Sequence, residues 1–99
     1  MARFSAYRMT SSHILALNLQ ADILDDLKTR IIAPPYPVSE LSWTMSRLNP
    51  RFTINSEAYV MATQRMVAVP VHEMGEFVID LSKYSDVIVA ATDFLFQGF

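Results

Sequence analysis

Residues 82–99 read SKYSDVIVAATDFLFQGF, and winding them at about 3.6 residues per turn decides how the chain must close. Ser85 suits a helix N-cap, because its hydroxyl can accept an orphan backbone N–H, and Asp86 suits the positive end of the dipole. Gly98 is a natural stop, since the residue just past a helix often takes the left-handed conformation that glycine adopts cheaply. Between them the charges are Asp86 and Asp93. Asp86, Ala90, Asp93 and Gln97 fall on one narrow polar stripe, while Val87, Ile88, Ala91, Phe94 and Leu95 form a broad apolar face. Val89 and Phe96 form a second apolar face. Either the domain wraps both faces, or a two-fold partner covers the second, and a chain this short wraps a helix poorly. Asp93 lies in the last turn, where a negative charge costs about 0.3–1 kcal/mol. A contact or solvation accounts for it.

Working outward, 99 residues make one domain, 1–99, with room for one core. Apolar residues are 52% and charged ones 18%, a balance that favours folding over disorder. A net charge of −2 supplies no general field for nucleic acid, so a groove-tracking DNA or RNA binder is disfavoured. Without cysteine there are neither disulfides nor thiolate metal sites, which suits a reducing cytosol. No apolar run reaches the length of a membrane span, and the start lacks a signal-peptide pattern, so a cytoplasmic protein with no membrane association is expected.

The rest of the chain reads as short strands. Residues 2–9 and 13–19 should pair as a hairpin across the turn at Thr10, Ser11 and Ser12. Residues 20–28 are an acidic connection, with one helical turn capped by Asp22. Residues 29–33 (TRIIA) should be a central buried strand stopped by Pro34 and Pro35. Residues 36–51 read mainly as a loop, with a helical turn or minor strand pair. A hairpin over 52–55 and 58–63, a turn at Gln64 and Arg65, and a strand over 66–69 follow. Residues 70–82 read as a connector with one helical turn before Gly75. The expected fold is mainly β: five to seven short, mostly consecutive antiparallel strands in a small, partly open barrel, closed by the C-terminal helix.

No reaction centre assembles from the residues. Asp22, Asp25 and Asp26 lack the further oxygen ligands and the glycine of a calcium loop. His13 and His72 have no metal-ligand spacing around them, no G-x-S-x-G turn positions a nucleophile, and with only Gly75 and Gly98 a glycine-rich phosphate loop is impossible. Arg30, Arg47, Arg51 and Arg65 remain. Arg47 and Arg51 bracket the Asn49-Pro50 bend as two solubilising charges or as a site for a phosphate or acidic segment. The six methionines fill core gaps or suit adaptable binding. On residues alone the protein reads as a dimeric binding module.

Two stretches carry a family likeness. MVAVPVHEMGEFVIDLS over 66–82, with its V-P-V…G…D-L-S pattern, and the final DFLFQGF resemble the CcdB family of plasmid and chromosomal toxins. QADILD over 20–25 and RIIAPP over 30–35 fall in the right order and spacing, so the likeness covers nearly the whole chain. It implies an SH3-like barrel, shared with MazF-type toxins, whose C-terminal helix forms a homodimer. It also implies a toxin, not an enzyme and without a cofactor, that binds the dimerisation region of the DNA gyrase A subunit and traps the cleaved-DNA complex. A CcdA-like antitoxin would neutralise it, and the pair would repress its own operon, so operator DNA is met only through that complex.

The family's poisoning motif is Trp-Gly-Ile. Gly98 matches its glycine, Phe99 replaces isoleucine with another apolar residue, and Gln97 stands where the tryptophan would be. Gln97, Gly98 and Phe99 are therefore the implied gyrase-binding residues, with the indole face missing. Ile23, Leu24, Asp93 and Phe96 match antitoxin-contacting positions. Val89 and Phe96 are the residues expected at the dimer interface. Two alternatives stand beside this reading: a MazF-type endoribonuclease using Arg30, Arg47 or Arg51, and a non-toxic member that keeps only antitoxin binding.

Overall fold

The hairpin expected from the first alternating segments is present: β1 (Ser5–Met9) and β2 (Leu15–Asn18) run antiparallel, with Ala6 opposite Leu17 and Arg8 opposite Leu15. The structure is a computed structural model and describes residues 2–99. β2 is buried along its whole length, with Leu15 and Leu17 in one core and Ala16 in another on the opposite side of the sheet. β3 (Thr29–Ala33) has the expected bounds and lies inside the same sheet, although Thr29 and Ile31 turn outward.

Pro34 ends β3 as the sequence implied, but Pro35 opens a new strand where a loop was expected from residue 36. The chain leaves the larger sheet at Pro34, and β4 (Pro35–Pro37) begins at once as an edge strand of a second sheet. An edge tolerates proline because its missing N–H need not enter a ladder. The segment 36–51 then contains a 3-10 turn over Val38–Glu40 and an irregular run tethered by Asn49. The buried Asn49 amide donates to the Met61 carbonyl at 3.0 Å and to Gln64 Oε1 at 2.8 Å, and its oxygen accepts the Met45 N–H at 3.0 Å. The Thr63 hydroxyl donates to the Leu48 carbonyl. These bonds give irregular backbone the partners that a ladder would otherwise supply.

β5 (Arg51–Ile54) and β6 (Glu57–Met61) meet at Asn55-Ser56, whose φ values of 51° and 68° suit a two-residue turn that matches strand twist. After a 3-10 turn over Thr63–Arg65, β7 (Val67–Pro70) pairs with β3 rather than with its sequence neighbours.

The main departure follows. The expected helical turn is there (Val71–Glu73), but residues 74–80 are a strand and not a connector. β8 (Met74–Asp80) is the seven-residue edge of the larger sheet, whose order is β7-β3-β2-β1-β8. Two register slips against β1 disturb its alternation: Gly75 and Glu76 face Arg8 alone, and Val78 is the extra residue between the Phe77 and Ile79 pairings. A bulged edge strand shows neither clean alternation nor a buried run, so it resembles a connector in sequence. Among the described residues there are eight strands instead of five to seven, and both edges of the larger sheet come from late in the chain.

α1 (Ser85–Gln97) closes the fold, and the two antiparallel sheets, of five and three strands, do not join into a closed barrel. The fold is therefore mainly β and partly open with one C-terminal helix, as expected. Ser85 is not the N-cap: a 3-10 turn over Ser82–Tyr84 runs straight into the helix, and Ser85 is already helical at φ −53°, ψ −39°. Asp80 serves this end instead, its Oδ1 accepting the Ser82 N–H at 2.8 Å. Gly98 stops the helix as expected, at φ 80°, with its N–H donating to the Phe94 carbonyl at 2.9 Å. The core-facing stripe is narrower than the sequence suggested. Ile88 and Ala91 pack with Leu17, Phe52, Ile54, Met61 and Leu81, while Val87 and Leu95 are exposed. Among the described residues, no helix is long and apolar enough to cross a membrane.

Candidate functional site

Between α1 and the connection that follows β2 lies a groove of about 460 Å³. Val89, Thr92, Asp93, Phe96 and Gln97 contribute from the helix, and Ala21, Leu24 and Leu27 from the connection. Arg3, Phe4, Leu19, Gln20, Thr29, Ile31, Met66 and Ile88 complete the lining. Its surface is mostly apolar, with Asp93 and Arg3 as its charged members.

The connection has little regular structure, a single 3-10 turn over Asp22–Leu24, yet side chains hold it closely. Gln20 is buried, donating from Nε2 to the Leu24 carbonyl at 3.0 Å and accepting the Ile31 N–H on Oε1 at 3.1 Å. Asp22 lies inside the turn and does not cap it; its Oδ1 accepts the Arg3 N–H at 2.8 Å. Arg30, 4% exposed, donates from Nη1 to the Leu27 and Thr29 carbonyls at 2.6 and 2.9 Å and from Nη2 to the Asp25 carbonyl at 2.7 Å. The Asp25 carboxylate lies 3.4 Å from Nη2. Among the described residues, Arg30 Nε is the buried side-chain polar atom without a hydrogen-bond partner, a desolvation cost of about 1–3 kcal/mol. Phe4 adds local strain, because its φ of 69° is left-handed, which costs roughly 1–2 kcal/mol outside glycine. Its N–H donates to the Asn18 carbonyl at 2.7 Å and its carbonyl accepts from Leu81 at 2.8 Å, which holds it there.

The groove gathers residues from each set that the sequence implied. Leu24, Asp93 and Phe96 of the antitoxin set line it, together with Val89 and with Gln97 of the gyrase set. The second apolar face of the helix, Val89 and Phe96, is thus one side of this groove. Ile23 stands beside it, 90% exposed, and Gly98 and Phe99 lie past the helix end, Phe99 at 75%. Phe96 is itself 72% exposed, so large apolar side chains lie open to water at this end of the molecule.

The arginines do not form a phosphate site together. Arg30 is buried with both terminal nitrogens occupied, which removes it from phosphate chemistry. The Arg47 guanidinium lies 4.5 Å over the Phe94 ring and that of Arg65 lies 5.3 Å over Tyr36, while Arg51 faces outward from β5. Among the described residues, no three acidic or histidine side chains are grouped to hold a metal ion. Away from the groove, Glu73 accepts the Ser11 hydroxyl at 2.7 Å and the Ser11 N–H at 3.2 Å. Those bonds hold its carboxyl below the ordinary value of 4.5.

Sequence reasoning missed Arg3, Phe4, Gln20, Leu27, Ile31 and Met66 as parts of this site. Leu27 left a trace, a third large apolar residue beside Ile23 and Leu24 in an otherwise acidic stretch. Gln20 left none, because its burial depends on strands that meet only in the fold. A model of the family described as CcdB protein matches residues 3–98 of the 99-residue chain. With the fold agreeing, the chain belongs to the CcdB family, toxins of toxin–antitoxin systems.

Proposed function

We propose that this protein is the toxin of a type II toxin–antitoxin pair, that it binds the A subunit of DNA gyrase and traps the cleaved-DNA complex, and that a CcdA-like antitoxin neutralises it. Beside family membership, the observation that carries the reading is the open apolar end of the helix: Phe96 and Phe99 are exposed, and Ile23 is exposed in the turn whose Leu24 lines the groove. Burial of aromatic anchors is where protein partners gain most of their affinity. The protein acts by binding, as one domain in the cytoplasm, with no catalysis of its own and no cofactor. Two copies meeting through Val89 and Phe96 would bring two helix ends together, a symmetric surface for a symmetric target. The antitoxin segment takes the groove, its apolar side chains meeting Leu24 and Phe96 and a basic one meeting Asp93, and the complex of the two proteins binds operator DNA. Gln97 changes the chemistry of the gyrase contact. An amide hydrogen-bonds where an indole would stack, so the apolar contact falls to Phe99 and Phe96.

The test mixes the protein with bacterial gyrase, ATP and supercoiled plasmid, then denatures the enzyme and counts linear DNA against a quinolone control. Linear product that disappears when Gln97 and Phe99 are both replaced by alanine is the expected result. Wild-type protein that yields none at saturating concentration overturns gyrase poisoning.

A further inference from the structure

We infer that Arg30 is the positioning residue of the groove, setting where Leu24 and Leu27 stand by holding two carbonyls of the connection, Asp25 and Leu27, together with that of Thr29 on its own strand. Backbone bonds within the connection are local: Leu24 to Ala21, Asp25 to Asp22 and Leu27 to Leu24. They shape turns without fixing the turns to the sheet. The Val71 N–H holds the Lys28 carbonyl at 2.9 Å. The rest of that attachment comes from side chains: Gln20 holds the Leu24 carbonyl, and Arg30 reaches back from β3 to the carbonyls of Asp25 and Leu27. A planar fork with five donors can meet carbonyls spread over five residues, whereas a lysine ammonium offers its donors from one point.

Cost is the second argument. A guanidinium 4% exposed, with one nitrogen unpartnered, is an expensive way to stabilise a sheet, since apolar residues of similar volume serve that purpose as well or better. Its return is geometric. Leu24 and Leu27, both exposed and both lining the groove, are the residues whose positions it sets.

The binding half of this inference rests on the reading that an antitoxin segment enters the groove, so the experiment keeps two arms apart. Arg30→Met fills the volume without donors, and Arg30→Lys keeps the charge without the fork. In the first arm, amide hydrogen exchange should quicken at least about tenfold at Leu24, Asp25 and Leu27, the scale of one lost buried hydrogen bond. The amides of Met61 and Ala62, which bond to the carbonyls of Pro50 and Pro34, should keep their rates. In the second arm, a synthetic peptide of the C-terminal segment of a CcdA antitoxin should bind Arg30→Met about tenfold more weakly than wild type, while Tm holds or rises. Unchanged loop exchange, or faster exchange everywhere with a lowered Tm, overturns the inference. Arg30→Lys behaving as wild type overturns the role of the fork, and decides alone if Arg30→Met does not fold. If wild type does not bind the peptide, the antitoxin reading of the groove fails and the exchange arm still decides on Arg30.

Discussion

Gly75→Ala tests why the V-P-V…G…D-L-S segment carries a glycine where it does. Gly75 sits in the bulge where β8 passes β1, and a Cβ built on it would lie 2.5 Å from the Arg8 carbonyl oxygen and 3.0 Å from the Thr10 methyl carbon. The methyl can turn away, but the carbonyl is backbone of the neighbouring strand and can move only if the strands part. Overpacking of this kind costs about 1–3 kcal/mol, and the rigid neighbour puts this case at the upper end. Restricting the unfolded chain returns roughly 0.4–1 kcal/mol, leaving a net loss of about 2 kcal/mol. For a domain of this size that corresponds to a Tm lower by roughly 8–16 °C. Urea titration gives the free energy and a thermal scan the midpoint. Gly98→Ala is the control, because Gly98 has open space around its Cβ position but φ +80°, so it should lose only about 1 kcal/mol of helix-end stability. A Gly75→Ala loss below about 0.5 kcal/mol would refute the steric argument, since surface exchanges reach that much without any clash.

Three further outcomes follow from the same structure. Ile88→Ala empties a side chain that is 1% exposed, so urea should report a loss of about 2–5 kcal/mol, and a smaller one would mean that the helix is not seated in the core. Asp93→Asn removes a negative charge from the last helical turn and should raise stability by about 0.3–1 kcal/mol; an unchanged or lower midpoint would show that the carboxylate has a stabilising contact. Glu73, held below its ordinary 4.5 by the Ser11 hydroxyl and then by the Ser11 N–H, contributes stability fully above that value and loses it as pH falls through the lower folded value. A Tm scan from about pH 6 to pH 3 should therefore fall less steeply in Ser11→Ala than in wild type, and parallel curves would remove the hydroxyl from the account.

The parts of the fold that were legible in sequence depend on local chemistry. β3 was read to the residue because proline stops TRIIA, and the β5–β6 hairpin was placed to within one or two residues at each strand end about its Asn55-Ser56 turn. Gly98 ended the helix for the same kind of reason. What was missed depends on partners distant in sequence. β8 pairs with β1, some seventy residues earlier, through a bulged register that hides its alternation. Ser85 looked like a cap until Asp80, five residues upstream, proved to serve the start of the preceding turn. Pro35 and Pro37 looked like strand breakers and are strand residues, since edge or interior position is a property of the sheet and not of the segment.

At the candidate site the same division separates what the helix carries from what the fold adds. Val89 and Phe96 were visible because helical spacing places them on a second apolar face, whereas Asp93 and Gln97 were picked out as site residues by the family likeness. Gln20 was not visible, because a polar residue beside an acidic connection reads as surface, and Arg30 was singled out only for phosphate chemistry, since its bonds to the connection exist only in the fold. The division of the helix between core and solvent is consistent with the proposed partners. The helix devotes Ile88 and Ala91 to the core and leaves Leu95 at 36%, Val87 at 48% and Phe96 at 72% exposure, so each forgoes a corresponding part of the about 1.5–3 kcal/mol that full burial supplies. A 99-residue chain has little surplus from which to leave such residues uncovered unless another surface completes the burial. For Phe96, in the groove wall and open to water, the proposed second copy and antitoxin segment are two such surfaces.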